Sequence, residues 1–240
     1  MNAHPEDPVA FDKQVNTVCD LYEQTPKLHE QGVHVISTDE KTGIQALERA
    51  APTLPTQPGR IERREFEYIR HGTLCLMANF DVALGKILTP SLGITRTEVD
   101  YLANIAQTVA TDPSGRWIWI SDHLNTHVSA SLVEWVAQQC DISLDLGVKG
   151  ESGILASMET RATFLSDPSH RIRFVFTPKH TSWLNQVEIW FSILVRRLLK
   201  RGSFTSIDDL RDQILAFIDY FNRTMAKPFK WTYRGRPLVA

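Results

Sequence analysis

The chain has 240 residues, of which 42% are hydrophobic and 22% charged, with a formal net charge of −2. That is the make-up of a folded globular protein, long enough for one domain with at most a small appendage. No run of about 18 apolar residues is present, and no signal-peptide core follows the polar, acidic residues 1–8, so a hydropathy-marked membrane span is excluded and a cytoplasmic location is expected.

Residues 9–30 carry Phe11, Val15, Val18 and Tyr22 on one helical stripe. A short strand is expected over 33–38, ending at Asp39-Glu40. Pro52, Pro55, Pro58 and Gly59 mark an irregular loop over 50–60. Residues 72–80 and 84–90 read as two strands joined by a tight turn over 81–85. Thr95-x-x-Glu98 reads as a capping box, opening a helix that turns Val99, Leu102, Ile105 and Val109 inward. Residues 116–121 contain Trp-Ile-Trp-Ile, a β-rich run that stops at Asp122. Helices are expected over 128–139 and 154–165, and a strand over 171–176. Pro178 and Ser182 precede a helix from Trp183 to about Lys200. Ser206-x-x-Asp209 starts a last helix with Leu210, Ile214, Phe217, Ile218 and Phe221 in period. Strands mixed with helices in this order predict an α/β fold with a central mixed sheet flanked by helices.

Charge is unevenly spread. From 171 to 236 there are 13 Lys/Arg against 5 Asp/Glu, whereas the preceding residues hold 13 basic and 23 acidic side chains. Such asymmetry fits a polyanion-facing C-terminal part, or a solvated helix face. Cys19, Cys75 and Cys140 show no C-x-x-C spacing, so buried thiols are expected rather than a structural zinc site or a disulfide framework.

Three acids stand out. Asp39 and Asp122 each follow an apolar strand, where sites of α/β sheets form, although an Asp there also starts turns and caps helices. Glu188 lies at the edge of the apolar arc made by Leu184, Val187, Phe191, Leu194, Val195 and Leu198. Its near neighbours on the helix are Leu184, Asn185, Phe191, Ser192 and Val195, none of them basic. If buried, it needs a cation from elsewhere in the fold, a raised pKa or a metal; otherwise it stays solvated. Should the three converge, each pair about 4 Å apart repels by roughly 4 kcal/mol at an effective dielectric near 20. Hard divalent cations relieve that repulsion. Two ions about 3.5–4 Å apart can activate a water or a 3′-hydroxyl against a phosphodiester. In that arrangement Asp39 bridges, and Asp122 and Glu188 each hold one ion.

Several stretches resemble the transposases of IS630-type insertion sequences, within the Tc1/mariner superfamily. They are Ser37-Thr38-Asp39-Glu40-Lys41-Thr42-Gly43-Ile44-Gln45, Glu67-Tyr68-Ile69-Arg70-His71-Gly72-Thr73 and Ser121-Asp122-His123-Leu124-Asn125-Thr126-His127. The most specific runs from Thr177-Pro178-Lys179-His180-Thr181-Ser182-Trp183 through Leu184-Asn185-Gln186-Val187-Glu188-Ile189-Trp190-Phe191. Arg201-Gly202-Ser203-Phe204 and Phe229-Lys230-Trp231-Thr232-Tyr233 follow. The resemblance covers about residue 31 to the C-terminus. It implies an RNase H-like DDE catalytic domain that cuts and joins DNA with Mg²⁺ or Mn²⁺, with two ions expected. It places the catalytic, metal-holding triad on Asp39, Asp122 and Glu188, and near-site or phosphate-contacting roles on Asn125, His127, His180 and Asn185. His71, lone before a strand, is expected to be structural. Arg196, Arg197, Lys200 and Arg201 are the candidate DNA-binding cations. The expected partners are double-stranded DNA, a second copy of the chain, and a separate N-terminal helix-turn-helix polypeptide.

The chain departs from that pattern in three ways. Relatives often place the final acid closer to the second Asp, whereas 65 residues separate Asp122 from Glu188 here. Glu159 would suit the shorter spacing, but its neighbours carry none of the motif, so an insertion is expected at about 140–169. His123 stands where relatives often have Asn. Only about 30 residues precede the first catalytic strand, too few for tandem helix-turn-helix units. The expected organisation is a helical linker over 1–30, a catalytic domain over 31–225 and a tail over 226–240. The intact triad favours an active enzyme; the short N-terminus leaves open a truncated remnant that binds DNA or a partner without transposing it. A general RNase H-like nuclease would not need the motif around Trp183.

Overall fold

The computed structural model describes residues 7–51, 54–62 and 66–233. Five strands, β1 (Val33–Arg49), β2 (Tyr68–Asp81), β3 (Lys86–Gly93), β4 (Arg116–Ser121) and β5 (Ile172–Phe176), form one sheet in the order β3-β2-β1-β4-β5. β1 pairs antiparallel with β2, and β2 with β3; β4 runs parallel to both β1 and β5. Among the described residues, six α-helices cover the sheet: α1 (Pro8–Glu30), α2 (Glu98–Val109), α3 (Ala130–Gln139), α4 (Met158–Leu165), α5 (Val187–Leu194) and α6 (Ile207–Thr224). The α/β fold with a central mixed sheet is therefore as the sequence predicts.

The Trp-Ile-Trp-Ile run explains why β4 lies inside. Successive side chains of a strand point to opposite faces. Trp117 and Trp119 enter the core with α2, α3 and α4, while Ile118 and Ile120 enter the core with α1, α5 and α6. A strand apolar on both faces is stable only when covered on both. Each tryptophan buries about 150–250 Å², worth roughly 4–6 kcal/mol of transfer free energy.

Several elements differ from expectation, each for a physical reason. β1 does not stop at Asp39. It pairs with β4 only from Val33 to Ser37 but follows β2 to Arg49, with register shifts between Lys41 and Ile44 and between Gln45 and Leu47. Asp39 thus lies inside a strand, yet beyond the end of the parallel pair. The cap of α2 is Thr97 with Asp100, not Thr95 with Glu98. That shift turns the helix: Val99 is exposed, whereas Tyr101, Asn104, Ile105, Thr108 and Val109 are buried. Asn104 and Thr108 are tolerated inside because Asn79 of β2 donates to both side-chain oxygens at 2.7 Å, and Thr38 of β1 donates to Asn79 at 2.7 Å. The helix expected from Trp183 to about Lys200 breaks into a 3₁₀ turn (Ser182–Leu184), α5 and a π-turn (Val195–Leu199), and Trp190, absent from the expected arc, is fully buried. His71 lies 2.7 Å from Glu48 across β1 and β2, consistent with a structural role.

The expected domain limits also need correction. α1 places Val15, Val18, Cys19, Leu21 and Tyr22 in the core beside β1 and α5, so it is not a linker. Past α6, Phe229 stacks on Phe80 with ring centroids 4.7 Å apart, and Trp231 lies 4.7 Å from Tyr22, so this segment is part of the same body. The expected insertion contributes Leu155, Phe164 and Leu165 to the core with α3 and β5.

Replacing Asn79 with Ala leaves Thr38, Asn104 and Thr108 short of partners in a buried junction. The loss should be about 2–3 kcal/mol of unfolding free energy, read from the midpoint of urea denaturation. An unchanged midpoint would mean the junction is energetically idle.

Candidate active site

Period-two alternation along β1 sorts its polar residues between the two faces. Ser37 and Asp39 face α5, while Thr38 and Glu40 face α2 and the turn that precedes α3. The start of α5 is tied to β1 and α1. Asn185, 1% exposed, accepts from the Ser37 hydroxyl and donates from Nδ2 to the Thr38 carbonyl at 2.8 Å and to Asp39 Oδ2 at 3.4 Å. Ser37 Oγ accepts the backbone N–H of Val187 at 2.8 Å, serving a helix start whose own N-cap residue, Gln186, makes no side-chain cap. Tyr22 of α1 donates to the Leu184 carbonyl at 2.8 Å and accepts from the Gln186 N–H at 3.2 Å. These bonds carry Glu188, in the first turn of α5, toward Asp39.

Asp122 follows β4 directly, where Ser121 pairs with Phe176 of β5 and its carbonyl accepts the N–H of Thr177 at 2.9 Å. Asp39, Asp122 and Glu188 therefore arrive from β1, the end of β4 and α5. Their mutual influence is visible at Asp39, whose carboxyl is raised from 3.8 to about 7. Burial is the largest cause, the charges of Asp122 and then of Glu188 add to it, and the backbone N–H of Glu40, 2.7 Å from Oδ1, opposes it. Among the described residues no three His, Cys, Asp or Glu side chains stand close enough to form a ready coordination shell. Coulombic coupling reaches farther than ligation, which reconciles that spacing with the shift at Asp39.

The four residues with implied near-site roles separate into two kinds. His127 and Asn185 are buried, at 0% and 1% exposure, and so are closed to a phosphate. His127 Nε2 lies 2.9 Å from Glu40 Oε1, and Nδ1 lies 2.5 Å from Asp122 Oδ1 and 2.9 Å from Ser121 Oγ. The contact to Asp122 is close but not aligned as a hydrogen bond, since Oδ1 lacks a well-directed partner. Burial alone would depress the imidazole pKa; the carboxylates of Asp122 and Glu40 close against its two nitrogens outweigh it and push the ring up to about 10. Asn125 and His180 are exposed, the latter at a backbone φ of 62° on the segment joining β5 to α5. Arg196, Arg197, Lys200 and Arg201 are exposed around the π-turn that follows α5. At about 1.5 Å rise per residue, they lie roughly 12 Å or more along the helix from Glu188. A groove of about 1020 Å³ runs along β5 between α1 and α4; His123, Lys179 and His180 line it, and Asp39, Asp122 and Glu188 do not.

The residue missed in the sequence is Glu40. Its carboxylate is 2% exposed and pairs with His127, although its neighbour Asp39 was expected to be the acid of interest. The available signal was the alternation of β1, which sends the two adjacent acids to opposite faces. Ser37 and Tyr22, which anchor α5, carry no such signal because their partners lie about 150 residues away.

A five-stranded mixed sheet with acids on β1, after β4 and on a following helix defines an RNase H-like fold of the DDE type. A family model described as DDE superfamily endonuclease matches residues 34–211, and the chain belongs to that family. No curated protein matches the chain. Among solved structures, the fold resembles the Mos1 strand transfer complex (TM-score 0.55, 11% identity, 90% of this chain and 56% of that one). It also resembles the Mos1 mariner paired end complex with Mn (TM-score 0.54, 13% identity, 90% and 56%). The catalytic domain of Mos1 mariner transposase aligns with a TM-score of 0.50 at 10% identity, over 91% of this chain and 85% of that one. The chain thus spans 56% of the length of the Mos1 chain in the first two complexes, and at these identities the likeness is one of fold. No helix among the described residues is long and apolar enough to cross a membrane.

Asp39→Asn offers a direct reading of the carboxylate repulsion. A carboxyl whose pKa is raised on folding contributes stability below its unfolded value of 3.8, and that contribution is lost as pH rises through about 7. Without divalent metal, the variant should match the wild type near pH 4 and exceed it at pH 8 by on the order of 2–4 kcal/mol. Chemical denaturation at the two pH values measures this; equal gaps at both would remove the repulsion from the account.

Proposed function

We propose that the chain is the catalytic domain of a Tc1/mariner-superfamily transposase of the IS630 type, which cleaves and joins DNA strands. The observation that carries this reading is the arrival of Asp39, Asp122 and Glu188 from three separate elements, with the charges of Asp122 and Glu188 both adding to the raised pKa of Asp39. The donor set is all oxygen and anionic, which fits Mg²⁺ or Mn²⁺. Asp39, Asp122 and Glu188 are the residues that would hold the ions, two being expected, with Asp39 shared between them. Bound there, the ions would supply charge neutralisation and an activated water or 3′-hydroxyl at a phosphodiester.

The remaining residues divide the work. Asn185 orients Asp39 and, through the Ser37 contacts, sets the start of α5. Exposed Asn125 and His180 are the proposed phosphate contacts. Arg196, Arg197, Lys200 and Arg201 form the proposed surface for double-stranded DNA. Two chains acting on two element ends, helped by a separate helix-turn-helix polypeptide that reads those ends, complete the proposal.

Mg²⁺ or Mn²⁺ should raise the melting temperature, because the ions bind the folded chain. Asp39→Ala should abolish that rise. Metal-dependent nicking of supercoiled plasmid should fall roughly 10²-fold or more in Asp122→Ala and in Glu188→Ala. Tight DNA binding with no nicking under any metal would instead identify a transposition-defective remnant.

Binding to duplex DNA should weaken steeply with salt, by a log–log slope of about −0.9 per phosphate contacted. Replacing Arg196, Arg197, Lys200 and Arg201 together by Ala should flatten that slope by up to about 3.6, as fluorescence anisotropy across a salt series would show. An unaltered slope assigns DNA binding to another surface.

A further inference from the structure

We propose that Glu40 and His127 act as a buried positioning pair that fixes the carboxylate of Asp122, and so set the affinity of the site for divalent metal. This inference rests on the triad reading above and adds two residues to it. The His127 ring is held on all sides. Nε2 meets Glu40 Oε1 at 2.9 Å, Nδ1 faces both Asp122 Oδ1 and Ser121 Oγ, and the Tyr101 ring lies 4.2 Å from the imidazole centroid. Tyr101 is itself fully buried, and its hydroxyl lies 3.5 Å from Ser121 Oγ. The imidazole cannot turn about its ring axis without losing a carboxylate on one side or the other.

Glu40 is the unusual member. Its side chain is buried, and Oε2 has no hydrogen-bond partner among the described residues. A buried carboxylate with one oxygen unsatisfied weakens a fold, so packing does not account for it. Alternation along β1 supplies a reason. Asp39 enters the pocket from one face while Glu40, the next residue, braces from the other face the histidine that touches the second acid. One dipeptide thereby places Asp39 directly and Asp122 indirectly. Partners of this kind, which hold a metal-binding carboxylate through a histidine, typically change metal affinity by 10–100-fold when lost.

The single variant His127→Ala strands Glu40 in the interior and can fail to fold, so the test uses Glu40→Gln combined with His127→Gln, a neutral pair that can still bond within itself. The probe is Mn²⁺ alone, titrated into the full chain by calorimetry, with Asp122→Ala as the reference. The double variant should keep the wild-type circular dichroism spectrum and bind Mn²⁺ about 10–100-fold more weakly. Plasmid nicking at limiting Mn²⁺ should fall with the KM for DNA unchanged, and saturating Mn²⁺ should restore much of it. Wild-type Mn²⁺ affinity in the folded double variant, alongside weakened binding in Asp122→Ala, overturns the positioning role and leaves the triad standing. Unchanged binding in Asp122→Ala as well overturns both.

Discussion

Like charges brought together inside a fold must be held there, and much of this molecule is arranged around the holding of Asp39. Its carboxyl is partly buried and faces the charges of Asp122 and Glu188. The backbone N–H of Glu40 and the amide of Asn185 soften the repulsion without removing it. A protein shaped only for stability would replace such a group with an apolar side chain of similar size. Retaining it makes sense where a cation from outside completes the arrangement.

The scaffold answers that demand with a division of faces. The sheet places β1 and β4 side by side and parallel, so both acids emerge near the same end of the strand pair. One face of β1 then ties down α5, through Ser37 and Asn185, with Tyr22 of α1 bonded to the same helix start. The other face meets His127 and, through Asn79, the buried polar residues of α2. Each aspartate is thus contacted by a buried polar side chain from a different direction, Asn185 at Asp39 and His127 at Asp122.

The parts of this arrangement that rest on local pattern were legible in the sequence. A run of β-favouring residues marked β4, helical period marked α1 and α6, and turn residues marked the β2–β3 connection. The three acids stand out in the sequence because they sit at motif positions, and the match to the DDE endonuclease family runs over residues 34–211, which contain them. What failed depended on partners far along the chain. β1 runs past Asp39 because β2 continues beside it, which no property of residues 40–49 announces. The face of α2 was misjudged because Asn104 and Thr108 look like surface residues until Asn79 is found opposite them. His127 and Asn185 were grouped with Asn125 and His180, since a motif gives proximity but not depth. Glu40 drew no attention because an acid beside another acid reads as surface charge. Tyr22 of the expected linker lies against Trp231, and Phe229 of the expected tail stacks on Phe80 of β2, contacts that no local pattern announces.

The turn between β2 and β3 binds two distant stretches of chain to one another. Gly85 adopts a φ of +67°, and its N–H closes the turn on the Asp81 carbonyl at 2.8 Å. A Cβ there would lie 2.0 Å from the carbonyl oxygen of Lys227, well past α6. The residue at 85 and the path of the chain at 227 therefore cannot vary independently. Any side chain larger than hydrogen at that corner displaces the strip that carries Phe229 and Trp231, so a single missing methyl group in the first half of the polypeptide determines where its final aromatic residues may rest.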